Sequence, residues 1–298
     1  IYWMARYIER AENTARLVNV NSNLLLDLPK RVRLGWEPII DILGNHDVFY
    51  QRHDTADERH VVRFMVSEQA NPGSILSCLR MARENARTIR DIIPREAWEQ
   101  INQNHMLARE EATGSLGRRK RDDFLRHIIL GAQTVTGMLA GTMTHDEGYD
   151  FLRMGRNLER ADMTTRIVDV RSASLLPEMS EDLSPFENIQ WVSVLKSLTA
   201  YQMYRREMRI RVRRPDVLRF LLQEKRFPRA LYHTTSEVEN CLQHLPHNEK
   251  PLKILTRLQK KVLAAKPEQL LQEELHSFVD TLQLDLAKLH NEIRASYF

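Results

Sequence analysis

The chain has 298 residues, of which 42% are hydrophobic and 28% are charged, so it can bury a sizeable core in one large or two ordinary domains. Its formal net charge is only +4, which argues against the strongly basic surface typical of nucleic-acid-binding domains. No apolar run has the length of a membrane span, and two distant cysteines match no metal-binding or redox spacing, so we expect a cytoplasmic protein.

Proline, glycine and capping residues mark the limits of the predicted helices. The first helix covers 1–28 and ends at Pro29. Further helices are predicted to begin near Trp36, Asp57, Pro72 and Pro94, and later ones near Ser184, Pro215, Pro228, Asn248 and Pro267. Between these groups, a loop at 113–123 precedes a helix that runs to Gly141, and Thr144 is the predicted cap of the next long helix. With 10 glycines, 11 prolines and no alternating strand pattern, the chain is predicted to be all-α.

The beginning of the sequence recurs in its second half. The stretch "IYWMARYIERAENTARLVNV" at 1–20 aligns without a gap with "FLRMGRNLERADMTTRIVDV" at 151–170. Further along, "VRFMVSEQANPGSI" at 62–75 resembles "LRFLLQEKRFPRAL" at 218–231. The matches keep the same order in both halves, which indicates an internal duplication.

A duplicated unit of about 150 residues has the size of a domain and is longer than the repeats of a solenoid. We therefore predict two tandem, pseudo-symmetric helical-bundle repeats, residues 1–143 and 144–298, packed as one compact unit. Ala5 and Gly155 occupy equivalent positions in the two long helices. Since glycine within a helix lowers helix stability, this pair of small residues indicates a close helix crossing.

Each copy of the long helix has two contrasting faces. Apolar residues recur at steps of three and four and form a core-facing stripe, as Met4, Ile8 and Ala11 do in the first copy. The opposite side, which we call the ER face, has charged residues shared by both copies: Arg6, Glu9, Arg10 and Arg16, and then Arg156, Glu159, Arg160 and Arg166. A single helix usually exposes such charges to solvent. Because the same charges recur beside apolar residues in both copies, we favour a second packed or cleft-lining face.

Three roles for the ER face stay open. Buried Glu–Arg pairs would fix how the helices pack, because an unpaired buried charge costs several kcal/mol. Alternatively, the arginines would bind a carboxylate or a phosphate through paired hydrogen bonds. In the third role, Glu9 or Glu159 acts as an acid or base within the arginine cluster, which makes these two the candidate catalytic residues.

A second arginine cluster lies in "LRMARENARTIRD" at 79–91. The predicted helix places four arginines along one side: Arg80, Arg83, Arg87 and Arg90. Asn85 lies beside them, and the aligned second copy has Glu239 and Gln243 in place of two of the arginines. This asymmetry predicts one anion site in the first copy, formed by the cluster together with an ER arginine such as Arg6 or Arg10. A solvated charged helix is the alternative.

Two further clusters are weaker candidates. The run "YRREMRIRVRRPDVLR" at 204–219 has the charge to bind phosphate, nucleic acid or an acidic partner, although a partly exposed charged loop is the simpler interpretation. His46, His53 and His60 are seven residues apart, which spreads them along a helix, so we expect no metal site. The sequence has no P-loop, GxGxxG, GxSxG or HExxH motif.

With these residues in view, the chain resembles the alpha-E family, bacterial all-helical proteins named for a recurring Glu-Arg motif. The resemblance covers nearly the whole chain and depends on "YWMARYIERAENTARL", "NPGSILSCLRMARENARTIRD" and "DEGYDFLRMGRNLERADMTTRIVDV". Ala5, where the family usually has glycine, and Tyr149, where tryptophan is common, are mild departures. Members are typically encoded with, or fused to, circularly permuted ATP-grasp proteins, and often lie near transglutaminase-like proteins.

The resemblance implies a part in a peptide-ligase or peptide-modifying system. We expect an accessory or substrate-presenting subunit of an ATP-grasp-type amide ligase, which binds a carboxylate- or phosphate-bearing ligand, or its partner, through arginines. ATP and magnesium are then expected on the ATP-grasp partner, with no cofactor on this chain. A stand-alone enzyme that uses a glutamate of the ER face, and a non-catalytic helical scaffold, are the alternatives.

Overall fold

The computed structural model describes residues 1–27, 35–114, 117–173, 184–209 and 211–298. All regular secondary structure within these residues is helical, which confirms the predicted all-α class. The predicted end of the first helix, at Pro29, lies outside the described residues. None of the described helices combines the length and apolar character needed to span a bilayer.

The first compact unit, Ile1–Arg156, is built around a four-helix bundle. Its described residues form α1 (Tyr2–Asp27), α2 (Glu37–Leu43), α3 (His46–Tyr50), α4 (Glu58–Val66), α5 (Ile75–Arg87), α6 (Arg95–Glu111), α7 (Arg118–Thr142) and the first part of α8 (Glu147–Ala173). In this bundle α1 contacts α5, α5 contacts α6, and α6 contacts α7. Helix α7 also contacts α1, which closes the ring. Their buried apolar faces meet inside this ring and form the core of the unit.

The second compact unit, Asn157–Phe298, contains the remainder of α8 and six further helices of the described chain. These are α9 (Ser184–Ser197), α10 (Tyr201–Met208), α11 (Arg214–Gln223), α12 (Leu231–Gln243), α13 (Glu249–Ala264) and α14 (Gln272–Tyr297). A short 3-10 turn at Pro267–Gln269 precedes α14. Contacts run from α11 to α12, from α12 to α13 and from α13 to α14, so neighbours in sequence are also neighbours in space.

The division between the compact units falls inside α8, whereas the predicted repeats meet before α8 begins. The compact units are defined by contacts, and the repeats were defined by aligned sequence. The predicted duplication, with its limits at 1–143 and 144–298, therefore stays a prediction.

Most of the predicted helix starts agree with the structure to within a few residues. Residues at or near the predicted starts become the N-caps of α2, α4, α6 and α13: Trp36, Asp57, Pro94 and Asn248. The local chemistry is clear for α4, where Asp57 Oδ1 accepts the backbone N–H of His60 at 2.9 Å. This bond satisfies one of the helix N–H groups that lack a partner within the helix.

Three predictions about local structure are wrong. Helix α7 begins at Arg118, within the predicted loop 113–123, because Arg and Lys are good helix formers even in a dense run of charge. The carboxylate of Asp146, and not Thr144, caps α8 by accepting the N–H of Tyr149 at 3.2 Å. Helices α3 and α10 were not predicted, and α10 overlaps the start of the run interpreted as a charged loop.

Candidate functional site

The ER face of α1 and α8 is largely withdrawn from solvent, and its glutamates are its most buried charges. Glu9 and Glu159 are 2% and 1% exposed, and Arg6 is 8% exposed. The other arginines of this face are half-buried: Arg10, Arg16, Arg156, Arg160 and Arg166. The solvated-face interpretation is therefore wrong for both helices, and the predicted second packed or cleft-lining face is confirmed.

The last arginine of each ER face is bound by an acidic residue one helical turn earlier. In α1, the Glu12 carboxylate accepts two hydrogen bonds from Arg16, at 2.7 and 3.0 Å. In α8, the Asp162 carboxylate accepts from Arg166 Nε at 2.9 Å. Both arginines are ligand-binding candidates on sequence alone, and their acidic partners were not predicted. The signal was present, because an acid four residues before an arginine is the usual spacing of a helical ion pair.

A threonine of each ER helix anchors the turn before another helix of the same unit. The Thr14 hydroxyl donates to the Gly73 carbonyl at 3.5 Å, just before α5, and the Thr164 hydroxyl donates to the Arg229 carbonyl at 2.8 Å, just before α12. Both threonines are fully buried. These contacts join positions that the repeat alignment equates, so they support the predicted duplication.

Aromatic rings on α1 position the first two arginines of its ER face. The guanidinium carbon of Arg6 lies 5.6 Å from the ring centroid of Trp3 and 5.9 Å from that of Tyr2. The guanidinium carbon of Arg10 lies 5.8 Å from the ring centroid of Tyr7. Because a planar guanidinium stacks on aromatic rings better than an ammonium does, these positions favour arginine over lysine.

Glu9 and Arg156 line one small pocket of the first unit. The rest of its wall comes from α1, α7 and α8: Ala5, Ile8, Val135, Thr136, Leu139 and Leu152. The accessible volume is about 10 Å³, which is the space that a single water molecule needs. In this conformation Glu9 would reach a water molecule but not an amino acid or peptide, so the geometry favours a packing role for this glutamate.

Gly155 allows α8 to approach α1 closely beside this pocket. A Cβ atom at this position would lie 2.3 Å from the backbone oxygen of Tyr2, a distance that real side chains do not tolerate. The close approach predicted from the small residues is therefore present at Gly155, and Ala5 lines the adjoining pocket.

Arg83 and Arg87 lie on a different surface, where α5 packs against α6. Arg83 donates from Nε to Asn102 Oδ1 and from Nη1 to Glu84 Oε1, both at 2.7 Å. Arg87 Nε donates to the other carboxylate oxygen of Glu84 at 3.0 Å. The hydrogen bond from Arg87, together with the charges of both arginines, holds the pKa of Glu84 below its usual range. Glu84 thus bridges the two arginines and orders them.

Arg90 and Asn85, the next two members of this cluster, do not join the row of arginines along α5 that the sequence predicted. Helix α5 ends at Arg87, so Arg90 does not continue the same helical row. Instead, its guanidinium carbon lies 4.0 Å from the ring centroid of Trp98 on α6. The side-chain amide of Asn85 donates to the Met81 carbonyl of its own helix at 2.7 Å.

The half-buried His105 on α6 lies close enough to these arginines to feel their charges. Desolvation lowers its pKa, and the charges of Arg83, Arg109 and Arg80 lower it further. Neighbouring cations disfavour a protonated imidazole for the same reason that they favour a bound anion. We call this electropositive surface, defined by these three arginines with Arg87 and Arg90, the α5–α6 face.

The equivalent surface of the second unit has no such charge pattern among its described residues. Glu239 on α12, aligned with Arg83, accepts from Gln259 Nε2 on α13 at 3.0 Å, and Gln243 is exposed. The structure thus brings Glu9 together with Arg156, and Arg83 together with Arg87, in two separate places of the first unit. A single site that also includes Arg6 or Arg10 stays a prediction.

The histidine cluster forms pairs rather than a metal centre. His53 and His60 stack with their ring centroids 5.0 Å apart, and His53 Nε2 lies 3.0 Å from Glu68 Oε2. In the part of the chain that the structure describes, no group of three or more His, Cys, Asp and Glu side chains is arranged to hold a metal ion.

Comparison with known proteins adds a family to this description. A family model described as a predicted alpha-helical domain with a conserved ER motif matches residues 1–298. The chain is 22% identical to an uncharacterised protein of Mycobacterium bovis and to one of Mycobacterium tuberculosis, and 21% identical to a protein of another Mycobacterium tuberculosis strain. Each match covers 99% of this chain but only 35% of the relative. No solved structure matches the chain significantly. On the match over its full length, the chain belongs to the Alpha-E family.

Proposed function

We propose that the protein is an accessory or substrate-presenting subunit of an ATP-grasp-type amide or peptide ligase system, in which the α5–α6 face binds a carboxylate- or phosphate-bearing ligand. The observation that carries this proposal is the unequal charge of two aligned helices. Helix α5 has Arg83 and Arg87 where α12 has Glu239 and Gln243. An anion would therefore meet guanidinium groups on the first unit and a carboxylate on the second.

The two arginines are ordered and still accessible. The Arg83 side chain is 30% exposed and the Arg87 side chain 57% exposed, although both donate to Glu84. Arginines held in this way lose less conformational freedom when they bind a ligand. A carboxylate or phosphate can share their remaining N–H groups, which suits the bidentate geometry of guanidinium recognition.

The family and the length of its members support a ligase context. The chain corresponds to 35% of its mycobacterial relatives, so those proteins have room for further domains. In this proposal a circularly permuted ATP-grasp protein, either separate or fused, binds ATP and magnesium in the cytoplasm. A transglutaminase-like protein is the second partner that the family resemblance implies.

The ER motif has a structural part in this proposal. Its glutamates are buried, its last arginines are tied to acidic residues of their own helices, and the pocket beside Glu9 holds about 10 Å³. These contacts favour a scaffold role for the ER face and a binding role for the α5–α6 face. The alternative in which Glu9 or Glu159 is an acid or base has less support from the geometry.

The first test is co-purification with an ATP-grasp protein encoded by a neighbouring gene. Amino acids and acidic peptides are then screened for their ability to stimulate ATP hydrolysis by the complex. Arg87→Ala and Gln243→Ala form a matched pair, because both residues are exposed in the last turn of aligned helices. We expect Arg87→Ala to weaken the response to ligand about tenfold, the effect of losing one charge-assisted hydrogen bond. Gln243→Ala is expected to leave it unchanged. Failure to co-purify, or equal effects of both variants, would contradict the proposal.

A further inference from the structure

The second unit has an open groove between α10 and α11. Two adjoining pockets of about 230 and 460 Å³ share Phe220, Glu224 and Arg226 as walls. Together they are in the size range of pockets that bind small ligands or the side chains of a peptide. We call this surface the α10–α11 groove, and it uses no residue of the α5–α6 face.

The groove lies in a strongly positively charged segment of the chain. Residues 201–228 include nine Arg and Lys residues and three Asp and Glu residues, a net charge of +6 against +4 for all 298 residues. The exposed cations are Arg205, Arg206, Arg209, Arg211, Arg213, Arg219, Lys225 and Arg226. Like charges held close together repel one another and destabilise the fold. A negatively charged partner would relieve this repulsion.

Both acidic residues of the groove are paired with the same arginine, Arg226. Arg226 Nη2 lies 2.5 Å from Glu207 Oε1, and Arg226 Nε lies 3.7 Å from Glu224 Oε1. Arg206 and Lys225 line the same groove, and no carboxylate of the described residues forms an ion pair with either of them. These two cations therefore remain available to an acidic partner.

The floor of the groove is apolar but offers no exposed aromatic ring. Met203 is 44% exposed, whereas Phe220 and Phe227, whose ring centroids are 5.0 Å apart, are only 3% and 7% exposed. Single-stranded nucleic acid binds largely by stacking its bases on exposed aromatic faces. A flexible methionine above buried rings suits an aliphatic or aromatic side chain of a peptide instead.

We propose that the α10–α11 groove docks an acidic peptide segment in which apolar side chains are flanked by Asp or Glu. The apolar side chains contact Met203 and the edge of Phe220. The flanking carboxylates pair with Arg206 and Lys225. This docking site is separate from the proposed ligand site and does not depend on a ligase partner.

The experiment uses the full chain and fluorescence anisotropy, without ATP or any partner protein. The probe is a labelled peptide Glu-Glu-Glu-Leu-Phe-Glu-Glu-Glu at low ionic strength. Three comparison probes are used. In the first peptide all Glu are replaced by Gln, and in the second Leu-Phe is replaced by Ser-Ser. The third probe is single-stranded DNA of similar charge. We expect the acidic, apolar peptide to bind at least about tenfold more tightly than each of the others, because each lacks one of the two contacts.

A pair of double variants separates the groove from the general effect of charge. Arg206→Ala with Lys225→Ala is expected to weaken peptide binding about tenfold or more. Arg257→Ala with Lys260→Ala removes the same charge from exposed positions of α13 that do not line the groove, and is expected to change binding little. Equal losses in both double variants, no loss in the first, or preferential binding of DNA would each overturn the proposal.

Discussion

Glu12 shows how a charged residue can be buried on a packed helix. Its carboxylate lies 2.7 Å from Arg16 Nη2, and the two side chains are 3% and 13% exposed, respectively. Arg95 and Glu99 have the same spacing on α6, but their side chains are 86% and 48% exposed. Solvent screens the second pair, whereas breaking the first leaves a buried charge without compensation. The two pairs share a spacing of four residues, run in opposite directions along their helices, and differ most in burial.

We therefore predict that Glu12→Gln lowers the free energy of unfolding by about 2–4 kcal/mol. The matched variant Glu99→Gln is expected to leave the denaturation midpoint unchanged within error. Urea denaturation followed by circular dichroism measures both. Similar midpoints for the two variants would show that the pair on α1 does not stabilise the fold.

The contact between His276 and Asp169 predicts that the stability of the folded protein depends on pH. Its Nδ1 lies 2.6 Å from Asp169 Oδ1, and this hydrogen bond and the carboxylate charge raise the pKa of His276 above its usual 6.5. Because folding favours the protonated imidazole, His276 stabilises the fold fully below about pH 6.5. This contribution to stability is lost as pH rises through the folded-state pKa of His276. The effect is small, because the imidazole is 61% exposed.

Melting temperatures between about pH 6 and 8 test this prediction. We expect His276→Gln to flatten the decline of stability with rising pH. The control is His233→Gln, since His233 Nδ1 contacts the carbonyl oxygen of Lys225 and not a carboxylate. An unchanged pH profile for His276→Gln would contradict the assigned origin.

At the scale of helices, Gly155 and Gly137 predict opposite results from the same substitution. A Cβ at Gly155 would meet the Tyr2 backbone oxygen at 2.3 Å, whereas a Cβ at Gly137 would meet nothing within 4 Å. Gly155→Ala is expected to destabilise the protein by about 1–3 kcal/mol through overpacking. Gly137→Ala, in the middle of α7, is expected to stabilise it by up to about 1 kcal/mol through helix propensity. Thermal melts that change in the same direction would rule out the close approach of α8 to α1.

Helix positions were largely predictable because their signals are local. Proline and capping residues fix the start of a helix within one turn, as Asp57 does for α4. Helix α10 was missed because charge density was taken as a sign of a loop, whereas its buried Tyr204 and the packing of α10 on α9 and α11 stabilise a helix there. Tertiary contacts of this kind have no local sequence signature.

At the scale of the whole molecule, comparing the two halves of the sequence located the charged clusters but not the residues that surround them. The recurrence of Glu9 and Glu159 correctly indicated burial, since both are almost inaccessible. It did not indicate how small the pocket beside Glu9 is, because pocket volume depends on residues of α1, α7 and α8 together. Likewise, the bridging of Arg83 and Arg87 by Glu84 depends on side-chain geometry that spacing alone leaves open.

The position of the domain boundary gives the last prediction. Tyr149 and Leu152, on the first part of α8, belong to the same buried cluster as Met4, Ile8 and Leu139. A fragment of residues 1–143 would leave this cluster open to water, whereas a fragment of residues 1–156 keeps the whole first compact unit.

We therefore expect the fragment 1–156 to unfold in one cooperative thermal transition. The fragment 1–143 is expected to be less stable by at least about 3 kcal/mol, because one buried Tyr and one buried Leu are lost, each worth about 1.5–3 kcal/mol. Circular dichroism melts of both fragments measure the difference. If the two fragments are equally stable, the start of α8 contributes nothing to the first unit. The structural boundary would then lie before α8, where the sequence repeat places it.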